Sequence, residues 1–157
     1  MRKIAQWGNN VYVKIPVQNT DRTFMGPFIA SLQRDGINVN VTAVFTPEQL
    51  RGLANILNPN AQCVISVFAG RIADTGRDPK PYIWLAKQYF PNYEILWASP
   101  REVLNIYQAE ESGADIITCT PELIAKYEKM KGYDLNELSL ETSQMFYNDG
   151  KASGFNL

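Results

Sequence analysis

Runs of apolar, mostly β-branched residues recur along the chain at positions 11–17, 39–44, 64–68, 95–98 and 116–120. Most are near-continuous rather than alternating, the pattern of parallel strands covered on both faces. Between the runs the apolar period becomes helical. Thr46-Pro47-Glu48-Gln49 reads as a capping box with proline at the first helical position, and Leu50, Leu53, Ala54 and Leu57 follow at helical spacing. Ser99-Pro100-Arg101-Glu102 repeats the device ahead of Val103, Leu104, Ile106 and Tyr107, which predicts Ser99 as a helix N-cap. Pro27 opens a helix that stops at Gly36, Thr120-Pro121 opens another, and residues 82–89 carry a further helical pattern. One more is expected near residues 140–147, before a glycine-containing end.

The order is strand, helix, strand, helix throughout, with strand landmarks recurring every 21 to 31 residues. This predicts an α/β chain of parallel βα units. No linker, low-complexity stretch or further repeat interrupts it, so residues 1–157 read as one domain. Five such units fit either an open doubly wound sheet or part of a (β/α)8 barrel, which needs at least about 200 residues when complete. Spacing alone leaves both open.

Composition narrows the chemistry. The chain has no histidine, which removes Ser-His-Asp triads, Cys-His pairs and histidine-ligated metals together. Cys63 and Cys119 form no CxxC and read as small buried hydrophobes. Fifteen basic and sixteen acidic residues give a net charge of −1 without clustering of either sign, so no nucleic-acid footprint is present. No apolar run approaches the ~20 residues that span a bilayer, and no secretory h-region opens the chain. A soluble, cytoplasmic protein is expected. GxGxxG and P-loop spacings do not occur.

Catalysis then rests on Lys, Asp/Glu, Tyr, Ser/Thr or Arg, and four places are candidates. In Val11-Tyr12-Val13-Lys14-Ile15-Pro16-Val17, period 2 puts the aliphatic residues on one face and Tyr12, Lys14 and Pro16 on the other. A charged ammonium is costly to bury, and an unprotonated amine is what Schiff-base chemistry on a carbonyl needs. The plainer alternative is a lysine whose stem packs while its head reaches water. Asn40 and Thr42 share a face of the second run and either line a site or bond neighbouring side chains. Residues 70–79 form a polar loop longer than the usual two to six residues, in which Arg71 and Arg77 either hold an anion or are solvated. Ser99 with Arg101 would make a phosphate site at a helix N-terminus, or an ordinary cap beside a surface arginine.

Taken together these segments resemble the transaldolase family, in particular its small bacterial members and the related fructose-6-phosphate aldolases. The resemblance rests on residues 13–17, 36–42, 68–74, Ala98-Ser99 with Arg101, and 113–118, in the family's order and spacing along nearly the whole chain. It implies a class I Schiff-base enzyme of the pentose phosphate pathway on a (β/α)8 barrel, needing no cofactor or metal. Lys14 would be the nucleophile and Thr42 would help hold the catalytic water. Asn40 and Ser66 would contact the dihydroxyacetone moiety, and Arg71, Ser99 and Arg101 the phosphate of the sugar-phosphate substrates. Aldolase-type members carry tyrosine at the position of Phe68, so Phe68 points to transaldolase. The Schiff-base lysine of the family lies on the fourth strand. This chain is therefore expected to supply strands 4–8, without the first three units and the carboxylates on them, either as a fragment or as one of two polypeptides in a barrel. Impaired activity of this chain alone follows, with a fructose-6-phosphate aldolase or a non-catalytic fragment as alternatives. The resemblance further implies a homo-oligomer joined through residues 140–157.

Overall fold

The five apolar runs become five strands in the computed structural model, which describes residues 1–154. They are β1 (Val13–Pro16), β2 (Val39–Val44), β3 (Cys63–Val67), β4 (Glu94–Trp97) and β5 (Ile116–Ile117), all parallel and in the order β1-β2-β3-β4-β5. Between them run α2 (Gly26–Arg34), α3 (Pro47–Ala54), α4 (Ala69–Ala73), α5 (Lys80–Tyr89) and α6 (Leu104–Glu111), with α1 (Arg2–Ala5) ahead of β1. These elements belong to one unit, Met1–Thr120. The second unit carries α7 (Pro121–Met130) and the 18-residue α8 (Leu135–Ala152), which opens on Asp134 accepting the Asn136 N–H. Residues 155–157 of the expected oligomer-forming tail lie outside the described residues. No described helix is long and apolar enough to cross a membrane.

The two faces of the sheet differ. Val13, Ile15, Val39, Val41, Ile65, Val67, Ile95 and Trp97 join Ile29, Leu32, Leu50, Leu53, Ile83 and Ala86 of the helices in one continuous core. The opposite face holds a separate small cluster of Val64, Leu96 and Ala98, flanked by Tyr12, Phe68 and Ile116, with no helical residue in it. Within the unit Met1–Thr120 the helices thus cover one face of the sheet only. A doubly wound sheet carries helices on both faces and reverses its strand order. Helices on one face and sequential strands belong to a barrel, of which this is a five-stranded part.

The caps explain where the helices begin, and where the expected start failed. Thr46 accepts from the Gln49 N–H while Gln49 Oε1 accepts from the Thr46 N–H, the capping box read from the sequence. Ser99 is not the cap of α6. It sits at φ 57°, and the amides of Arg101 and Glu102 are both taken by the buried Asn105 Oδ1 at 2.7 and 3.2 Å, so α6 starts only at Leu104. Residues 70–79 are not all loop either, because α4 fills their first part.

Buried polar groups tie the connections down. Gln33 Nε2 donates to the Tyr93 hydroxyl (3.2 Å), its Oε1 accepts the Asn58 N–H (3.0 Å), and the Tyr93 hydroxyl donates to the Asn58 carbonyl. Asp115 accepts from the Ile95 N–H at 2.7 Å and pairs with Lys87 at 2.8 Å, fastening the short β5 to β4 and α5. Burial alone would raise the Asp115 carboxyl, but the Ile95 N–H and the Lys87 ammonium outweigh it and hold the group below the usual range.

Two outcomes follow for stability. Gln33→Ala strands the Asn58 N–H and removes a partner from Tyr93, so it should cost about 1–3 kcal/mol in urea unfolding; a cost near zero contradicts the bridge. Burial pushes the Cys63 thiol up to about 12. The unfolded thiol releases its proton near pH ~8.5 while the native one keeps it, so this contribution is intact below that pH. It is lost at about 1.4 kcal/mol per pH unit as the pH rises toward the native value. Cys63→Ala removes this contribution and should flatten the fall in stability between about pH 9 and 11; any cavity cost is independent of pH. Equal slopes for both proteins would contradict it.

Candidate functional site

The open face of the sheet is where the candidate residues meet, because each is the odd one out in an alternating strand. Lys14 lies between Val13 and Ile15, whose side chains enter the helix-covered core, and it stands in register with Asn40 of β2. Ser66, fully buried in β3, donates its hydroxyl to Asn40 Oδ1 at 2.7 Å. Asn40 and Ser66 are therefore fixed to each other beside the lysine's row. Lys14 itself is exposed and makes no hydrogen bond or ion pair among the described residues. Of the two alternatives its strand offers, Lys14 shows the plainer one, a head that reaches the surface, since only the other face of β1 is covered.

Thr42 ends the same row of β2, opposite Pro16. The ladder between β2 and β3 shifts register between Val41 and Val44, and Ala43 in that bulge has φ 57°. Bulges re-aim side chains near functional sites. The Thr42 hydroxyl is buried and has no partner among the described residues. An orphan of this kind costs about 1–3 kcal/mol, which a rotation toward the open face and a new partner there would recover.

A second group gathers where the chain leaves β3 and β4. Phe68 caps α4; its ring lies 5.4 Å from that of Phe45, and the Arg71 guanidinium sits 5.4 Å over it. A cation on an aromatic face is held without losing its charge for a ligand. Gly70 makes the approach of the two segments possible: its N–H donates to the Ala98 carbonyl at 3.1 Å, and a Cβ there would stand 1.5 Å from the Ser99 carbonyl oxygen. Arg71, Ser99 and Arg101 are thereby collected at neighbouring strand ends. Arg101 is committed to Asp74, which accepts from Nε and Nη2 at 3.1 and 2.9 Å. Both side chains are half exposed, so the pair is worth little and an incoming dianion can displace the carboxylate.

Arg77 stands apart. It donates to Thr75 Oγ1 at 2.8 Å beside a cavity of about 380 Å³ lined by Phe45, Pro47, Ile72 and Tyr82. Sequence reasoning missed Asn105, whose carbonyl organises the Ser99–Arg101 turn, and Phe45, the platform under Phe68. An asparagine four residues beyond Arg101 was the available signal for the first, as such side chains cap nearby amides. The amides of Arg101 and Glu102 are consequently not free for a phosphate, and the cations on offer are Arg101 of this turn and Arg71 of α4. Among the described residues no group of three or more His, Cys, Asp or Glu comes together to hold a metal.

The sequence matches the family described as Transaldolase/Fructose-6-phosphate aldolase over residues 2–157. It is 34% identical over 145 residues to the "Probable transaldolase" of Nitrosopumilus maritimus, covering 89% of this chain and 60% of that protein. It is 33% identical over 158 residues to the "Probable transaldolase" of Hyphomonas neptunium, covering 98% and 66%. With the "Probable transaldolase 2" of Listeria monocytogenes it shares 36% over 129 residues, covering 80% and 56%. The chain thus spans a little over half the length of the curated relatives it matches. A parallel five-stranded sheet with helices on one face, matched along practically its full length, places this chain in the transaldolase/fructose-6-phosphate aldolase family.

Proposed function

We propose that this chain carries the Schiff-base half of a transaldolase, acting in the cytoplasm on sugar phosphates. The observation that carries the reading is the row of Lys14 and Asn40 in register, with Ser66 bonded to Asn40, on the one uncovered face of the sheet. Lys14 Nζ adds to the ketose carbonyl, and loss of water leaves an iminium. Cleavage of C3–C4 sends its electron pair to the iminium nitrogen, releasing an aldose phosphate and leaving an enamine. The enamine carbon then attacks the aldehyde of an acceptor aldose phosphate, and hydrolysis frees Lys14. Asn40 and Ser66 hold the dihydroxyacetone hydroxyls, and Thr42 holds the water that hydrolyses the iminium. Arg71, Ser99 and Arg101 take the phosphate, Arg101 after leaving Asp74. Phe68, a phenyl without a hydroxyl to deliver a proton, supports transfer over simple aldol cleavage.

The steps need proton transfers, and the carboxylate that strand period puts on this face, Glu94, is three strands from Lys14. General acid–base help contributes typically 10²–10⁴ in rate, so activity of the chain alone is low. The exposure of Lys14 favours a second reading, a non-catalytic phosphosugar-binding module.

Fructose 6-phosphate with an aldose phosphate acceptor should show slow transfer that Lys14→Ala reduces to background. Arg101→Ala should raise KM for phosphorylated donors about tenfold, equivalent to about 1.4 kcal/mol, and Asp74→Asn should lower it. Transfer that survives Lys14→Ala contradicts the mechanism, and cleavage without any acceptor points to an aldolase. We further propose that α8 is a contact between copies of the chain, supported by its exposed Leu135, Leu140, Met145 and Phe146. A chain ending at Tyr133 should then sediment as a smaller species than the full chain; an unchanged assembly contradicts this.

A further inference from the structure

We propose that Asn105 is a positioning residue for the phosphate end of the substrate, acting through Arg101, and that it thereby makes the site select phosphorylated over unphosphorylated ketoses. The inference deepens the reading above and rests on its phosphate subsite, not on the chemistry at Lys14. Arg101 lies between β4 and α6, outside both, and Asp74 holds its side chain through Nε and Nη2. That hold ends when a phosphate displaces the carboxylate. In the bound state the position of the guanidinium then depends on the backbone that carries it.

This backbone is fixed on both sides of Ser99. Ahead of it, the Gly70 N–H donates to the Ala98 carbonyl at 3.1 Å. After it, Asn105 Oδ1 accepts the amides of Arg101 and Glu102 at 2.7 and 3.2 Å. Asn105 is 3% exposed, and its Nδ2 donates to Gln108 Oε1 at 2.9 Å, which sets the end of the amide that faces the turn. Ser99, between the two ties, has φ 57°, and a residue other than glycine keeps such a conformation where its surroundings over-determine it. The Asn105 carbonyl therefore has two effects on the site. It anchors the main chain of Arg101, and it removes two amides that could meet any anion. A phosphate is left with the guanidinium groups of Arg101 and Arg71, whose planar forks match its oxygens and give an uncharged hydroxymethyl group no comparable hold.

The test is calorimetric binding of fructose 6-phosphate to the full chain in a double-mutant cycle of Asn105→Ala and Arg101→Ala. Each single variant should weaken binding about tenfold, and the double variant no more than Arg101→Ala alone, because the tie has nothing to position once the arginine is gone. Equal losses from Asn105→Ala in both backgrounds, the mark of a merely structural role, overturn the proposal. So does unchanged or tighter binding by Asn105→Ala, the result if the released amides took the phosphate. Circular dichroism reports whether each variant folds. Gln108→Ala keeps Asn105 but frees its amide to turn; it should show the same pattern to a smaller extent, and it decides if Asn105→Ala does not fold. An unaltered chain that binds fructose 6-phosphate no more tightly than fructose overturns this proposal and the phosphate subsite together. The expected cycle without a borohydride-trapped adduct at Lys14 supports the positioning role and counts against the proposed chemistry only.

Discussion

The alternation of side chains along the five strands is the constraint on which the rest of the molecule depends. Ile15, Val39, Val41, Ile65, Val67, Ile95 and Trp97 are completely buried against the helices. Their register leaves no freedom for the residues between them, because a slip of one position would turn every buried side chain outward. Lys14, Asn40, Thr42 and Ser66 are therefore placed on the other face by the packing of their neighbours, not by any interaction of their own. The one bond among them, from Ser66 to Asn40, refines a placement already made.

The loops above the sheet add the second half of the site by close backbone approach. Gly70 lets α4 lie against Ser99, and Asn105 ties the turn after Ser99 by its side chain. Both arginines are held by partners that compete little with a phosphate: Arg71 by an aromatic face, Arg101 by a solvent-exposed carboxylate. The candidate site thus has two oriented cations beyond the ends of β3 and β4, with Lys14 in the middle of β1.

Much of this was legible in the sequence, for reasons that are local. The strands show as β-branched runs, and the capping box at Thr46 and the proline at the start of α2 mark helix ends by chemistry confined to a few residues. The same string type misled at Ser99, where the competing acceptor, Asn105, sits outside the four-residue signature and takes the amides first. The short α4 was hidden in a polar stretch because its apolar contribution is limited to Ala69 and Ile72. Spacing could not separate barrel from open sheet, since both use the same unit; the difference lies in which face the helices cover. Lys14 is legible as a strand lysine, but its exposure depends on what covers the sheet's second face, a property no strand carries in its own residues.

The most direct test of the account is borohydride reduction of the chain with fructose 6-phosphate, followed by intact mass and peptide mapping. The account predicts one adduct, on the peptide containing Lys14. An adduct on another lysine such as Lys80 or Lys87, or none from a chain shown to be folded, would contradict the claim that the open row of the sheet is the reactive one.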